Sequence, residues 1–126
     1  MILEFIRWIL GVKVITAHTK ETVAKDWQEI ETLLKGGTPS QLKQALINAD
    51  RSVDTLLKDL VAGESMGERL KNAKNLLHPE TYNKVWEAHK LRNSLVHEGG
   101  FEVQHFMLKG SVGHLKSVVG ELGVKL

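Results

Sequence analysis

Side chains suited to phosphate chemistry lie within residues 86–98, W-E-A-H-K-L-R-N-S-L-V-H-E. His89, Asn93 and His97 recur at four-residue steps, so on a helix they form one polar stripe. Arg92 follows His89 by one turn and diverges from His97 by about 140° around the axis, but its long side chain can swing over the helix end. A cation, an amide and two imidazoles at one helix end predict a site for a phosphate rather than a core.

The segment Arg92-Asn93 followed by His97 resembles the R-x4-6-H motif of HEPN domains, which often carry a polar residue directly after the arginine. The resemblance covers residues 25–126, with the motif near the end of a late helix and one helix after it. It implies an all-α, HEPN-like bundle and a metal-independent endoribonuclease, usually a homodimer with both motifs facing one cleft. It also implies a toxin or RNA-defence setting, with an antitoxin or a nucleotidyltransferase as a further partner.

The chemistry of RNA cleavage suits these three side chains. The 2′-hydroxyl can act as an internal nucleophile, so the protein has to move protons and stabilise a phosphorane-like anion. His97 can serve as general acid or base, because imidazole titrates at about pH 6.5. Arg92 can hold phosphate oxygens through two N–H groups and oppose the developing charge. Asn93 can orient His97 or the 2′-hydroxyl, and the expected ends are 2′,3′-cyclic phosphate and 5′-hydroxyl.

A structural role for the same residues is the alternative. Arg92 can pair with Glu98 or Glu87, while Asn93 and His97 can cap the free carbonyls of the helix end. Residues 80–100 also carry no surplus of positive charge, since three cations are offset by three carboxylates: Lys84, Lys90 and Arg92 against Glu80, Glu87 and Glu98. A nuclease groove usually has such a surplus. The second functional hypothesis is therefore a non-catalytic HEPN-like interaction module, or one that binds RNA or nucleotide.

Two further residues are predicted to support the site. His89 precedes Asn93 by one turn on the polar stripe, and its alternative role is that of a half-buried histidine. Glu98 can hydrogen-bond His97 or cap the helix end. The stripe carries imidazoles but no carboxylate, so we predict no metal and no cofactor.

The composition is that of an ordinary globular chain of one domain. The 126 residues are 42% hydrophobic and 25% charged, and the net charge is only +2. An anion site must therefore be local. The absence of cysteine excludes disulfides and cysteine-ligated zinc, and fits a reducing compartment such as the cytoplasm. A transmembrane helix needs a run of about 18 or more apolar residues, and the sequence contains no such run.

The first segment differs from the rest. Residues 1–15 are apolar almost throughout, with Glu4, Arg7 and Lys13 as the interruptions. We expect an apolar N-terminal helix or arm over residues 1–18, packed on the domain or on a second subunit, and an HEPN-like helical domain over residues 19–126. A membrane-surface contact through residues 1–15, with Trp8 and Arg7 at the headgroups, is the alternative.

Helical periodicity accounts for the rest of the chain and predicts a four- to five-helix antiparallel bundle. Helices are expected at about 21–35, from Thr38 to Gly63, from Ser65 to Leu77, from Pro79 onward, and at about 105–122. Thr38-Pro39-Ser40-Gln41 and Ser65-Met66-Gly67-Glu68 have the pattern of a capping box.

The helix that starts at Thr38 is expected to bury eight apolar residues: Leu42, Ala45, Leu46, Ala49, Val53, Leu56, Leu57 and Leu60. The helix that starts at Ser65 is expected to bury Leu70, Ala73, Leu76 and Leu77. In the last helix, Phe106 and Leu108 are expected in the core, and its glycines are expected at close backbone approaches.

Overall fold

The computed structural model describes residues 13–98 and 102–126. Within these two ranges the chain forms five α-helices and one short 3₁₀ segment, and no strand occurs in either range. The all-α prediction of a helical bundle is therefore confirmed. The helices are α1 (Ala17–Gly36), α2 (Pro39–Leu60), α3 (Met66–Asn72), α4 (Pro79–His97) and α5 (His105–Glu121), and the 3₁₀ segment is Lys74–Leu76.

Helix α2 is the centre of the bundle and packs against α1, α3, α4 and α5. Its start is fixed by the predicted capping box, in which Thr38 and Gln41 exchange side-chain hydrogen bonds with each other's backbone N–H. Its inward face buries seven of the eight apolar residues that the periodicity predicted. These are Leu42, Ala45, Leu46, Ala49, Val53, Leu56 and Leu57.

Contacts at the helix ends show that neighbouring helices run antiparallel. The backbone N–H of Thr16, just before α1, donates to Asp59 near the end of α2 at 3.0 Å. The backbone N–H of His78, just before α4, donates to Glu121 at the end of α5 at 2.9 Å. The pairs α1/α2 and α4/α5 are therefore antiparallel, and α4 packs against both α5 and α2.

The short helix α3 is fastened to α2 by an ion pair. Arg69 donates from Nε and Nη2 to the two carboxylate oxygens of Asp54 at 2.6 and 2.8 Å, and from Nη1 to the carbonyl of Gly63 at 2.8 Å. The hydrogen bond and the charge of Asp54 raise the pKa of Arg69. This guanidinium is fully committed to the fold and is not free for a ligand.

Several local predictions are wrong. Helix α1 begins at Ala17 rather than near Glu21, because the Thr16 side chain accepts from the N–H of Thr19 and caps it. Leu76 and Phe106, both expected in the core, are 47% and 70% exposed. A Cβ added at any of the three glycines of α5 would meet none of the described residues within 4 Å, so these glycines are not sites of close approach within residues 13–98 and 102–126: Gly110, Gly113 and Gly120.

Residues 1–12 of the predicted N-terminal helix or arm lie outside the described residues. Of its remaining residues, Ala17 and His18 already belong to α1. Of the described helices, none combines the length and the apolar character needed to cross a membrane.

Candidate functional site

Helix α4 turns a polar surface toward α2 over its second half. Its two fully buried residues, Val85 and Ala88, belong to its middle, and Pro79 occupies the first turn as predicted. From Leu91 onward every residue of the helix is partly or fully exposed. The polar stripe of α4 therefore begins inside the bundle at His89 and ends in solvent at His97.

Asp50 of α2 meets the buried end of this stripe. Its side chain is 4% exposed, and its two oxygens lie 3.0 and 3.1 Å from Nδ1 of His89. The His89 side chain is itself 12% exposed and stands edge-to-face against Trp86. A buried carboxylate needs such a partner, because an unpaired charge in the interior is strongly disfavoured. His89 is therefore a largely buried histidine paired with a carboxylate that the motif does not contain, and its supporting role stays a prediction.

Two of the three guanidinium nitrogens of Arg92 lie near a partner, and in the described part of the chain the third does not. Its Nε lies 3.7 Å from an oxygen of Asp50, an ion-pair distance that is too long for a hydrogen bond. Its Nη1 donates to Oδ1 of Asn93 at 3.1 Å. The Arg92 side chain is 31% exposed, and Nη2 has no hydrogen-bond partner among the described residues. The guanidinium is thus anchored by one edge and presents donors to solvent.

Asn93, His97 and Glu98 form the exposed end of the site. Asn93 contacts Arg92 through its side-chain oxygen rather than orienting His97. The His97 and Glu98 side chains are exposed and make no hydrogen bond within residues 13–98 and 102–126. The alternative pairings of Arg92 with Glu87 or Glu98 do not form, since Glu87 lies 3.7 Å from Lys84 and Arg92 turns to Asp50.

Asp50 is the site residue that the sequence interpretation missed. It follows Leu46 by four residues and precedes Val53 by three, so it occupies a position on the buried stripe of α2. A carboxylate at such a position signals a polar partner on the facing helix, because charged side chains are rarely buried unpaired. Only the packing of α4 on α2 shows that the partners are His89 and Arg92.

The electrostatic balance at the buried end is close to neutral. Asp50 carries one negative charge and Arg92 one positive charge, while His89 adds a positive charge only when protonated. The polar groups that this face leaves exposed are therefore the outer edge of Arg92 and the side chain of His97. In the described part of the chain, no group of three or more His, Cys, Asp or Glu side chains is arranged to hold a metal ion.

Among the described residues the site is a partly exposed helix face, with Arg92 and Asn93 half-buried and His97 exposed. A surface cavity of about 380 Å³ lies elsewhere, between α1 and the C-terminal residues, and is lined by Trp27, Lys116 and Lys125 among others. No motif residue lines it. An open face of this kind suits a polymer better than a small molecule, which usually binds in a concave pocket.

No protein-family model, curated protein or solved structure matches this chain. The motif and the geometry around Arg92 are therefore the basis for a functional proposal.

Proposed function

We propose that this chain is an HEPN-like RNA-processing domain that cleaves RNA without a metal ion and leaves 2′,3′-cyclic phosphate and 5′-hydroxyl ends. The observation that carries the proposal is the state of Arg92. Asp50 and Asn93 hold one side of its guanidinium, the other side is open, and the exposed His97 follows five residues later on the same helix. As in other HEPN-like proteins, the setting would be a toxin or RNA-defence system.

Each exposed group has a task in this reaction. Attack of the 2′-hydroxyl on phosphorus places additional negative charge on the non-bridging oxygens, which the free donors of Arg92 can stabilise. His97 is accessible to a bound phosphodiester and can move a proton, because imidazole changes charge near neutral pH. Asn93 restrains Arg92 by accepting a hydrogen bond from Nη1.

Charge and surface character favour a homodimer as the active form. One copy offers a single open guanidinium whose charge Asp50 already offsets, so two copies facing one cleft would double the positive groups available to the RNA backbone. Three apolar side chains are exposed in the last turn of α4 and the first turn of α5: Val96, Phe106 and Met107. Exposed apolar groups beside a polar site are typical of an interface.

The same near-neutral charge balance supports the second candidate function, a module that binds RNA or a nucleotide without cutting it. A guanidinium paired with a carboxylate can still donate to a phosphate while the rest of the catalytic arrangement is missing. The two functions share Arg92 and differ in whether His97 transfers a proton.

A cleavage assay separates the two. The protein is incubated with unstructured RNA in EDTA, and the fragment ends are identified by their susceptibility to phosphatase and kinase. We expect cyclic phosphate and 5′-hydroxyl ends from the wild type, and intact RNA with a folded His97→Ala variant. Cleavage that EDTA abolishes would contradict the proposal, whereas intact RNA that the wild type nonetheless binds would favour the binding module.

A further inference from the structure

A buried carboxylate–imidazole pair lies directly beside the Arg92 guanidinium. Asp50 places both oxygens within 3.1 Å of Nδ1 of His89 and is almost fully removed from solvent. A carboxylate can only accept, so Nδ1 carries the proton in this contact. With Nδ1 protonated, Nε2 of a neutral imidazole keeps its lone pair and can accept a proton.

The second nitrogen of His89 is accessible. In the described chain, the buried side-chain nitrogens without a partner are Trp27 Nε1 and Arg92 Nε. Nε2 of His89 has no hydrogen-bond partner among the same residues and is not one of these sealed atoms, so it reaches solvent. A histidine that served only to satisfy Asp50 would not need a free, accessible acceptor.

We propose that His89 is the general base of the cleavage reaction and that Asp50 is the residue that positions it; this inference rests on the proposed ribonuclease function. Arg92 lies between His89 and His97 along α4, and the two histidines are separated by about 12 Å along the helix axis. The proposal requires a phosphate at the end of the Arg92 side chain to lie between the two imidazoles, and the long guanidinium arm has to swing toward His97, from which it diverges by about 140° around the axis. In-line displacement needs this order, because the attacking and leaving oxygens lie on opposite sides of phosphorus.

The step balances with these groups alone. Nε2 of His89 takes the proton of the 2′-hydroxyl while the O2′–P bond forms. The P–O5′ bond then breaks, and the leaving O5′ takes a proton from the imidazolium of His97. Asp50 stabilises the imidazolium that forms on His89 and keeps the ring in the productive tautomer, as a carboxylate does behind a catalytic histidine.

Arg92 also has a nitrogen close to Asp50. Its buried Nε lacks a hydrogen bond although an Asp50 oxygen lies only 3.7 Å away. Catalytic hydrogen bonds are often long in the absence of substrate and shorten when it binds. The same carboxylate therefore contacts both the base and the phosphate-binding residue.

Two substitutions of His89 test the inference against a purely structural role. His89→Asn places an amide N–H close to the position of Nδ1, so the contact with Asp50 can persist, but it offers no base. His89→Gln serves as the second variant, with its amide near Nε2. We expect His89→Asn to remain folded by circular dichroism and to cleave RNA on the order of 10²-fold to 10⁴-fold more slowly.

A spectroscopic measurement on the wild type accompanies the kinetics. Long-range ¹H–¹⁵N correlation spectra distinguish the two tautomers of a neutral histidine, and the His89 signals are those missing from His89→Asn. We expect the Nδ1-protonated form in the wild type. In Asp50→Asn, whose amide can either accept or donate, we expect a mixture of tautomers and slower cleavage.

The outcomes separate the inference from the function it rests on. Wild-type cleavage together with an equally active His89→Asn variant overturns the role of His89 and leaves the ribonuclease function standing. An Nε2-protonated His89 in the wild type also overturns it. A wild type that cuts no RNA overturns both, whereas loss of cleavage in folded His89→Asn with the expected tautomer supports the inference.

Discussion

Arg92 shows how one residue can be fixed by the fold and still be available to a ligand. The Asp50 carboxylate and the Asn93 amide restrain it, and about a third of its side chain faces solvent. A guanidinium restrained in this way loses little conformational freedom when it binds a phosphate, because its side chain is already ordered. Arg69 is the contrasting case, since each of its three nitrogens donates a hydrogen bond within the fold.

Replacing Arg92 should therefore affect function more than stability. We expect Arg92→Ala to slow RNA cleavage by roughly 10²-fold to 10³-fold, the usual effect of removing one group that stabilises a transition-state anion. Asp50 keeps His89 as a partner, so the melting temperature should change little. Single-turnover cleavage and thermal melting measure the two effects. Lys84→Ala, which removes an exposed cation of the same helix, is the matched control, and a variant that loses stability but not cleavage would contradict this role.

Replacing Arg69 should have the opposite effect. We expect Arg69→Ala to lower the free energy of unfolding by about 1–3 kcal/mol, because it leaves the partly buried carboxylate of Asp54 without its partner. The pKa of Arg69 is raised in the folded state, so its contribution is complete below its ordinary value and is lost only as the pH rises beyond it. Urea unfolding should thus give the same difference in the free energy of unfolding between the wild type and Arg69→Ala at every pH in the neutral range. A difference that varies over this range, or a direct loss of RNA binding in the folded variant, would argue against this assignment.

At the scale of the elements, local sequence signals determine most of the fold. The capping box at Thr38 and the proline at the start of α4 place two helix starts correctly, and apolar periodicity identifies the buried face of α2. These features act within a few residues, so they can be read from the sequence. The exposed Phe106 and the contact from Asp50 to α4 depend on how helices pack, which periodicity in one helix does not specify.

The glycines of α5 give a prediction at the element scale. Gly113 lies inside the helix, and a Cβ there would meet nothing within 4 Å. Gly113→Ala should stabilise the protein by about 0.5–1 kcal/mol, because alanine restricts the unfolded chain and favours the helix. Gly37→Ala should destabilise it, since Gly37 has a φ of 70°. Denaturant unfolding measures both, and a loss of stability in Gly113→Ala would reveal a constraint on α5 that the packing does not show.

At the scale of the whole molecule, the proposed dimer places the exposed apolar end of α4 and α5 between two copies. We expect Phe106→Ser to lower the fraction of dimer in light scattering and to slow cleavage, while the secondary structure is retained, because its side chain is 70% exposed in the single chain. Leu76→Ser, which alters another exposed apolar residue, should leave the dimer intact. An unchanged dimer in Phe106→Ser would place the interface elsewhere.

The central claim is that Arg92 and the flanking histidines act on a phosphodiester whose own 2′-hydroxyl is the nucleophile. The most direct test compares an oligonucleotide containing one ribonucleotide with its fully deoxy counterpart, in EDTA, at equal protein excess. We predict cleavage only at the ribonucleotide, with a 2′,3′-cyclic phosphate on the fragment, and none in the Arg92→Ala variant. Cleavage of the deoxy strand, or of neither strand, would contradict the account.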